Sequence, residues 1–243
     1  MAQPQVVAEL APHGVLRAAI NMGNFLLVTG RTASGDPDGC SPDMARAIAA
    51  DLGVPVQMVP YAKPGELADD AEKDKWDIGL IGAEPARAEK IDFTAAYVEI
   101  EATYLVPAGS AIKSIAEVDV KGNRIAVTAR SAYDLWLERN IHNATLVRGN
   151  SQAEVIEMFL KEKMEALAGL RPGLIGEVDK IPGSRILDGQ FSAVQQAIGT
   201  PKKNAAGAAY LKKFVEDAKK SGAVAALLVK HGTVGRLSVA PLT

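Results

Sequence analysis

One cysteine, three histidines and an aromatic content of 5% in 243 residues remove several classes of protein at the outset. Cys40 alone cannot build an intramolecular disulfide framework, and His13, His142 and His231 lie far apart without metal-ligand spacing. No apolar run approaches the ~20 residues of a membrane-spanning helix. Met1–Pro12 lacks the basic-then-apolar pattern of a secretory leader. A periplasmic or extracellular location is therefore expected only with a leader removed, and a cytoplasmic one is the alternative. Charge of one sign is also missing: 27 Lys and Arg face 29 Asp and Glu, a formal net charge of −2. Without a basic field, nucleic acid is not expected as a partner, and neither is direct membrane insertion. The chain carries no G-x-S-x-G elbow, G-x-G-x-x-G fingerprint, P-loop or H-E-x-x-H. Hence no catalytic residue, no cofactor and no metal is expected. Glu84, Glu99, Glu101 and Glu165 are the acids to screen should the chain be an enzyme.

What is present is the balance of a globular protein, with 48% hydrophobic and 23% charged residues and a length suited to two modest lobes or one large α/β domain. Leu16–Asn21 reads as a buried strand followed by a glycine-punctuated loop through Gly39. Ser41 is placed to cap a helix, Pro42 suits its first position, and Met44, Ile48 and Leu52 repeat every four residues until Gly53. Val54–Val59 reads as a strand, Lys63–Lys75 as a surface helix and Trp76–Gly82 as a strand ending in glycine. This βαβαβ alternation predicts a parallel sheet covered on both faces, with ligands at the carboxyl ends of its strands. A further strand ends near Val106. A second alternation follows: strand Arg124–Thr128, helix Ser131–Glu138, strand Ala144–Val147, helix Ser151–Lys161. Both helices open on Ser with an acid three residues on, Asp134 and Glu154, close to a capping box. Met164–Leu170, Arg185–Leu187 and Ala193–Gly199 read as strands before two C-terminal helices from about Asn204 and Ala223. No internal repeat of fixed period is apparent.

Chemistry concentrates at the strand ends. Arg87 falls in the first turn of a helix opening at Glu84, where a cation costs a few tenths to ~1 kcal/mol unless an anion shares the site. That anion is either Glu84, three residues earlier, or a ligand carboxylate held in bidentate geometry. Ser131, directly after Arg130, is an ordinary N-cap or adds a hydroxyl to the same anion. Phe25, Tyr61, Tyr133 and Trp136 line a pocket or fill cores; Phe25, in a loop after the first strand, suits the former and Trp136 the latter. Cys40 reads as a small packing residue.

The stretches Gly39–Ala49, with Asp43, then Trp76–Gly82, Pro85–Arg87, Ile91–Thr94 and Tyr97 resemble the bacterial extracellular solute-binding proteins, family 3, of the polar amino-acid type serving ABC importers. The resemblance runs over most of the chain. It implies an α/β, two-lobed periplasmic-binding-protein-like fold (type II), each lobe a mostly parallel sheet flanked by helices, with the ligand cleft between them. Residues 1–106 form lobe 1, 107–191 lobe 2, and 192–243 a return strand and C-terminal helices packing on lobe 1. Arg87 matches the arginine that holds the ligand α-carboxylate, and Ser131 a hydroxyl residue that assists it. Arg130, Gly82, Asn24, Phe25 and Leu170 complete the candidate set. Leu170 stands where the family carries the aspartate that receives the α-ammonium group, and the surroundings of Asn24 and Phe25 depart from its proline-aromatic entry. The implied function is the substrate-binding component of an ABC-type importer that closes on a small carboxylate-bearing solute: an amino acid, a derivative or an organic acid. A membrane permease is the expected partner of a monomer. The alternatives are an enzyme of the same fold, such as a cyclic-acid dehydratase, and a stand-alone ligand sensor.

Overall fold

The computed structural model describes residues 3–243. Helix α1 (Pro4–Leu10) precedes β1 (Leu16–Asn21), the short pair β2 (Gly30–Arg31) and β3 (Pro37–Asp38), and α2 (Cys40–Leu52). Then come β4 (Val56–Tyr61), α3 (Pro64–Asp69), β5 (Ile78–Gly82), α4 (Pro85–Ala88), β6 (Ile91–Phe93) and β7 (Val98–Val106). The middle of the chain gives β8 (Arg124–Thr128), α5 (Ala132–Asn140), β9 (Thr145–Gly149), α6 (Gln152–Lys161), β10 (Ala166–Leu170) and α7 (Arg171–Val178). It ends with β11 (Arg185–Ile186), β12 (Ser192–Pro201), α8 (Ala205–Lys220), α9 (Ala223–Lys230) and β13 (Ser238–Val239). Packing divides the chain into two units: the part up to Glu99 with Gln195–Thr243, and Ile100–Val194. The chain passes from one to the other inside β7 and inside β12.

Both units are built on one plan. In the first, β1 lies between β4 and β5, all parallel, and β12 runs antiparallel on β5. In the second, β8 lies between β9 and β10, all parallel, and β7 runs antiparallel on β10. Short apolar runs suit strands buried on both faces. In β8, Ile125 and Val127 enter one cluster with Tyr104, Leu137 and Ala168, while Ala126 enters another with Phe159, Leu167 and Leu174.

An arginine pins the leading strand of each unit at its amino end. Arg17 donates through its backbone N–H (2.8 Å) and Nε (3.1 Å) to Asp77 Oδ2 and through Nη2 to Asp77 Oδ1 (2.8 Å). Arg124 repeats this on Glu165: backbone N–H (2.8 Å) and Nε (3.0 Å) to Oε2, Nη2 to Oε1 (3.0 Å). Each guanidinium also donates to the carbonyl of a non-glycine residue at positive φ, Asp74 (53°) or Lys163 (50°). Sixty residues separate the pair in the first unit and 41 in the second. The plan therefore repeats without a fixed period, which is why the sequence shows none.

Local departures from expectation have local causes. The α2 helix begins at Cys40 with Gly39 as N-cap, rather than being capped by Ser41. The Ser41 backbone N–H donates to the Leu27 carbonyl (3.1 Å), and its hydroxyl lies 2.6 Å from that of buried Tyr97. Gly39 sits at φ 148°, and a Cβ there would lie 2.2 Å from the Leu27 carbonyl oxygen. The expected Lys63–Lys75 helix shrinks to α3, because Trp76 donates to the Leu67 carbonyl (3.1 Å) and anchors the turn beyond it. Helix α7 went unrecognised because Pro172, Gly173 and Gly176 depress helical propensity.

Gly39→Ala meets both a backbone conformation essentially reserved for glycine and a carbonyl that cannot move without unseating Leu27. A loss of about 3 kcal/mol is expected, read as a lower urea midpoint; an unchanged midpoint contradicts the tight approach of this loop to α2.

Candidate functional site

In the first unit, four sequence candidates gather around the carboxyl ends of β1 and β5. Gly82 closes β5, and its carbonyl accepts a hydrogen bond from Arg87 Nη1 at 2.7 Å. The side chain of Arg87 is buried, with the residue only 5% exposed. The dipole argument changes: α4 has only four residues, so its first turn is also its last and its macrodipole is small. The strand-end carbonyl is one partner that orients the guanidinium. Glu84 is the N-cap residue in extended conformation, makes no side-chain cap, and is itself buried. Asn24 is buried and folds the segment after β1 into a turn: Oδ1 accepts the Leu26 N–H (3.2 Å), and its backbone oxygen accepts those of Leu27 and Val28. Phe25, beside it, is 50% exposed. Tyr61 instead donates to Asp70 (2.9 Å).

In the second unit, Ser131 is the N-cap of α5, and its hydroxyl accepts the Asp134 N–H at 3.1 Å. The Asp134 carboxylate in turn accepts the Arg130 N–H (2.7 Å) and Arg148 Nε (2.9 Å). The same reciprocal cap opens α6, where Ser151 accepts from Glu154 and Glu154 accepts from Asn150. Arg130 is exposed and holds φ at 59°. Leu170 ends β10 and packs against the cluster of Tyr104 and Tyr133. Burial raises the Tyr133 hydroxyl pKa despite hydrogen bonds to Thr128 and Ser131. Trp136 packs on that cluster, 5.3 Å from the Phe191 ring.

The two plans superpose in sequence offset. Counting from Arg17 and from Arg124, Asn24 and Ser131 hold the same place after the leading strand. Counting from Asp77 and Glu165, Gly82 and Leu170 hold the same place at the end of the third. Four of the candidates thus form two equivalent pairs, one member in each unit.

Other chemistry-bearing groups serve structure. Asp38, Asp43 and His231 bring ligand-type atoms together, a grouping the sequence spacing concealed. Asp43 already accepts from Lys230 Nζ (2.7 Å), His231 Nε2 (2.7 Å) and Arg46 Nη1 (2.9 Å), tying α2 to the end of α9. Burial pushes its carboxyl up, but those three donors outweigh it and hold the pKa at about 2. Burial pushes the Cys40 thiol up to about 12, so it is held as the protonated thiol near neutral pH. Among the acids screened for catalysis, Glu165 is held ionised in the Arg124 clamp, its pKa lowered chiefly by that hydrogen bond, and Glu101 is paired with Arg171. A groove of about 750 Å³ along α1 and α8, lined by Val6, Asp51, Tyr210 and Phe214, contains none of the candidates.

The profile of the bacterial extracellular solute-binding proteins, family 3, matches residues 23–234. The chain belongs to this family. Among solved structures, the solute receptor for L-cysteine of Neisseria gonorrhoeae is similar at TM-score 0.77 and 20% identity, over 97% of this chain and 99% of that one. A mutant of ArgBP from T. maritima gives 0.74 and 19%, over 94% and 99%. An ancestral amino acid-binding protein, described as a precursor of cyclohexadienyl dehydratase, gives 0.73 and 21%, over 92% and 98%. Among curated proteins no match was found. The structural likenesses establish for this solute-binding protein the two-lobed α/β fold of periplasmic binding proteins. No helix among the described residues is long and apolar enough to cross a membrane.

Arg171, which opens α7 and pairs with Glu101, is a charged residue at the end of β10 that the sequence reading did not single out. Its signal was its place directly after the apolar run ending at Leu170.

Two measurements test these assignments. Ser131→Ala should cost about 1 kcal/mol through the lost cap, seen as a lower urea midpoint. Asp43 has a folded pKa below its ordinary 3.8, so its stabilisation is full above that value and is lost as pH falls towards about 2. The stability gap between the wild type and Asp43→Asn should therefore narrow across that window; a constant gap contradicts the assignment.

Proposed function

We propose that this solute-binding protein is the substrate-binding component of an ABC-type importer, binding a small carboxylate-bearing solute without altering it chemically. The observation that carries the reading is Arg87: a buried guanidinium, oriented by the Gly82 carbonyl at the carboxyl end of a parallel strand. In such desolvated surroundings a charge-assisted bidentate pair with a carboxylate is far stronger than on an open surface. The end of a parallel strand is also where α/β sheets bind their ligands. Ser131, through its hydroxyl, and Asn24 with Phe25 are the further contacts in this reading, and closure of the two lobes on the solute is the signal that a membrane permease recognises. Binding rather than catalysis is favoured because Glu165 and Glu101 are committed to arginines. The neighbour described as a dehydratase precursor is itself described as an amino acid-binding protein.

The test is a thermal-shift screen of the purified chain against amino acids, hydroxy acids, dicarboxylates and aromatic acids, with product analysis of each mixture. A ligand at a hundredfold excess over Kd adds about 2.7 kcal/mol, so one class should raise Tm by several degrees, with the acid recovered unchanged. Arg87→Gln should abolish the shift. An equal shift in Arg87→Gln removes the central residue, and product formation establishes an enzyme instead.

A further inference from the structure

Helices α1 and α8, both in the first unit, meet closely at Gly207. A Cβ there would lie 2.6 Å from Leu10 Cδ2, and the Gly207 N–H donates to Glu9 Oε2 at 2.8 Å. One and two turns further along, α8 carries Tyr210 and Phe214, four residues apart and so on one face, with ring centroids 6.1 Å apart. These rings, Val6 of α1 and the small side chains of Ala206 and Ala218 wall the groove of about 750 Å³, which Asp51 reaches from the end of α2. That volume is in the range of small-molecule sites.

Packing does not account for Asp51. It stands in the last turn of α2, a helix of 13 residues with no basic residue in that turn. A carboxylate there adds to the negative end of the helix dipole and is unfavourable unless a cation shares the site. The Tyr210 hydroxyl donates to Oδ2 at 2.5 Å, while among the described residues Oδ1 has no hydrogen-bond partner and the carboxylate no ion pair. Arg46, the one basic residue of α2, is held by Asp43 and the Pro37 carbonyl. The other charged side chains lining the groove, Lys213 and Asp217, pair with each other. One negative charge, that of Asp51, is left over. Of the remaining lysines of α8, Lys212 pairs with Asp92 and Lys219 with Glu216, and Lys220 is exposed and does not line the groove.

An open carboxylate oxygen beside two aromatic rings suits an ammonium head, which is attracted by the carboxylate and by the negative ring faces, with an apolar body against the groove walls. An anion would be repelled by Asp51, and a neutral molecule would leave its charge uncompensated. We infer that this groove is a second ligand site, independent of the proposed importer function, and that it takes an organic ammonium ion with an apolar body. Asp51 contacts the head, and Tyr210 and Phe214 the body.

The experiment is amide-resolved NMR titration of the full chain with phenethylammonium and n-hexylammonium, their neutral counterparts 2-phenylethanol and n-hexanol, and 3-phenylpropionate. At least one amine should shift amides of α1, of α8 between Ala206 and Ala218 and of Asp51, saturably, and bind there about tenfold more tightly than its neutral counterpart. Asp51→Asn keeps an acceptor for Tyr210 and should remove that advantage of the amine. Phe214→Leu should weaken both members of a pair alike, and provides a second test should Asp51→Asn not fold. Overturning results are an alcohol or 3-phenylpropionate that binds the groove as tightly as the amines, an amine affinity that Asp51→Asn leaves unchanged, shifts centred on Gly82 and Arg87 instead, or no saturable shift with either amine. Groove amides that move on dilution without any amine identify a second copy of the chain as the occupant, and overturn it as well.

Discussion

The amino end of the leading strand is where each unit is fixed. A parallel strand has no hairpin to set its register, so something must hold its start against the third strand, laid down only after two crossovers. Here that is an arginine which offers its own backbone N–H and its guanidinium to one carboxylate: Arg17 to Asp77, Arg124 to Glu165. The same guanidinium reaches the carbonyl of the positive-φ residue just before the third strand. Register set at this end determines which residues emerge at the other. Two lobes pinned alike therefore present matched positions at their strand ends, Asn24 with Ser131 and Gly82 with Leu170.

The clamps also explain which acids are available for chemistry. A carboxylate bound side-on by a guanidinium is ionised and occupied, suited to holding a strand and unsuited to giving up a proton. Glu165 belongs to this class, and Asp43, held by Lys230, His231 and Arg46, to a related one. With these carboxylates spent on structure, the side chains of interest at the strand ends are arginines, hydroxyls and an amide. These are donor groups, the kind the proposed binding of a carboxylate draws on.

Much of the architecture was legible because periodicity and capping agree locally. The limits of β1 and β8 fell out of short apolar runs, and the Ser-x-x-acid pattern located α5 and α6 through the hydrogen bonds it makes. Arg87 and Ser131 were singled out by their places after strands. Tertiary contacts supplied the rest. The start of α2 is moved to Cys40 by the Leu27 backbone pressing on Gly39, which no helix-capping preference encodes. The length of β7, the pairing of β13 with it and the grouping of Asp38, Asp43 and His231 join positions distant in sequence. Arg171 escaped notice because its helix opens on Pro172 and Gly173, residues that read as loop.

A crystal structure of the chain with the acid that binds it most tightly tests the central claim most directly. The account predicts a carboxylate of that acid within hydrogen-bond distance of the Arg87 guanidinium, with the Gly82 carbonyl still holding Nη1 from the other side. An acid bound elsewhere, with no atom of it on Arg87, would contradict it.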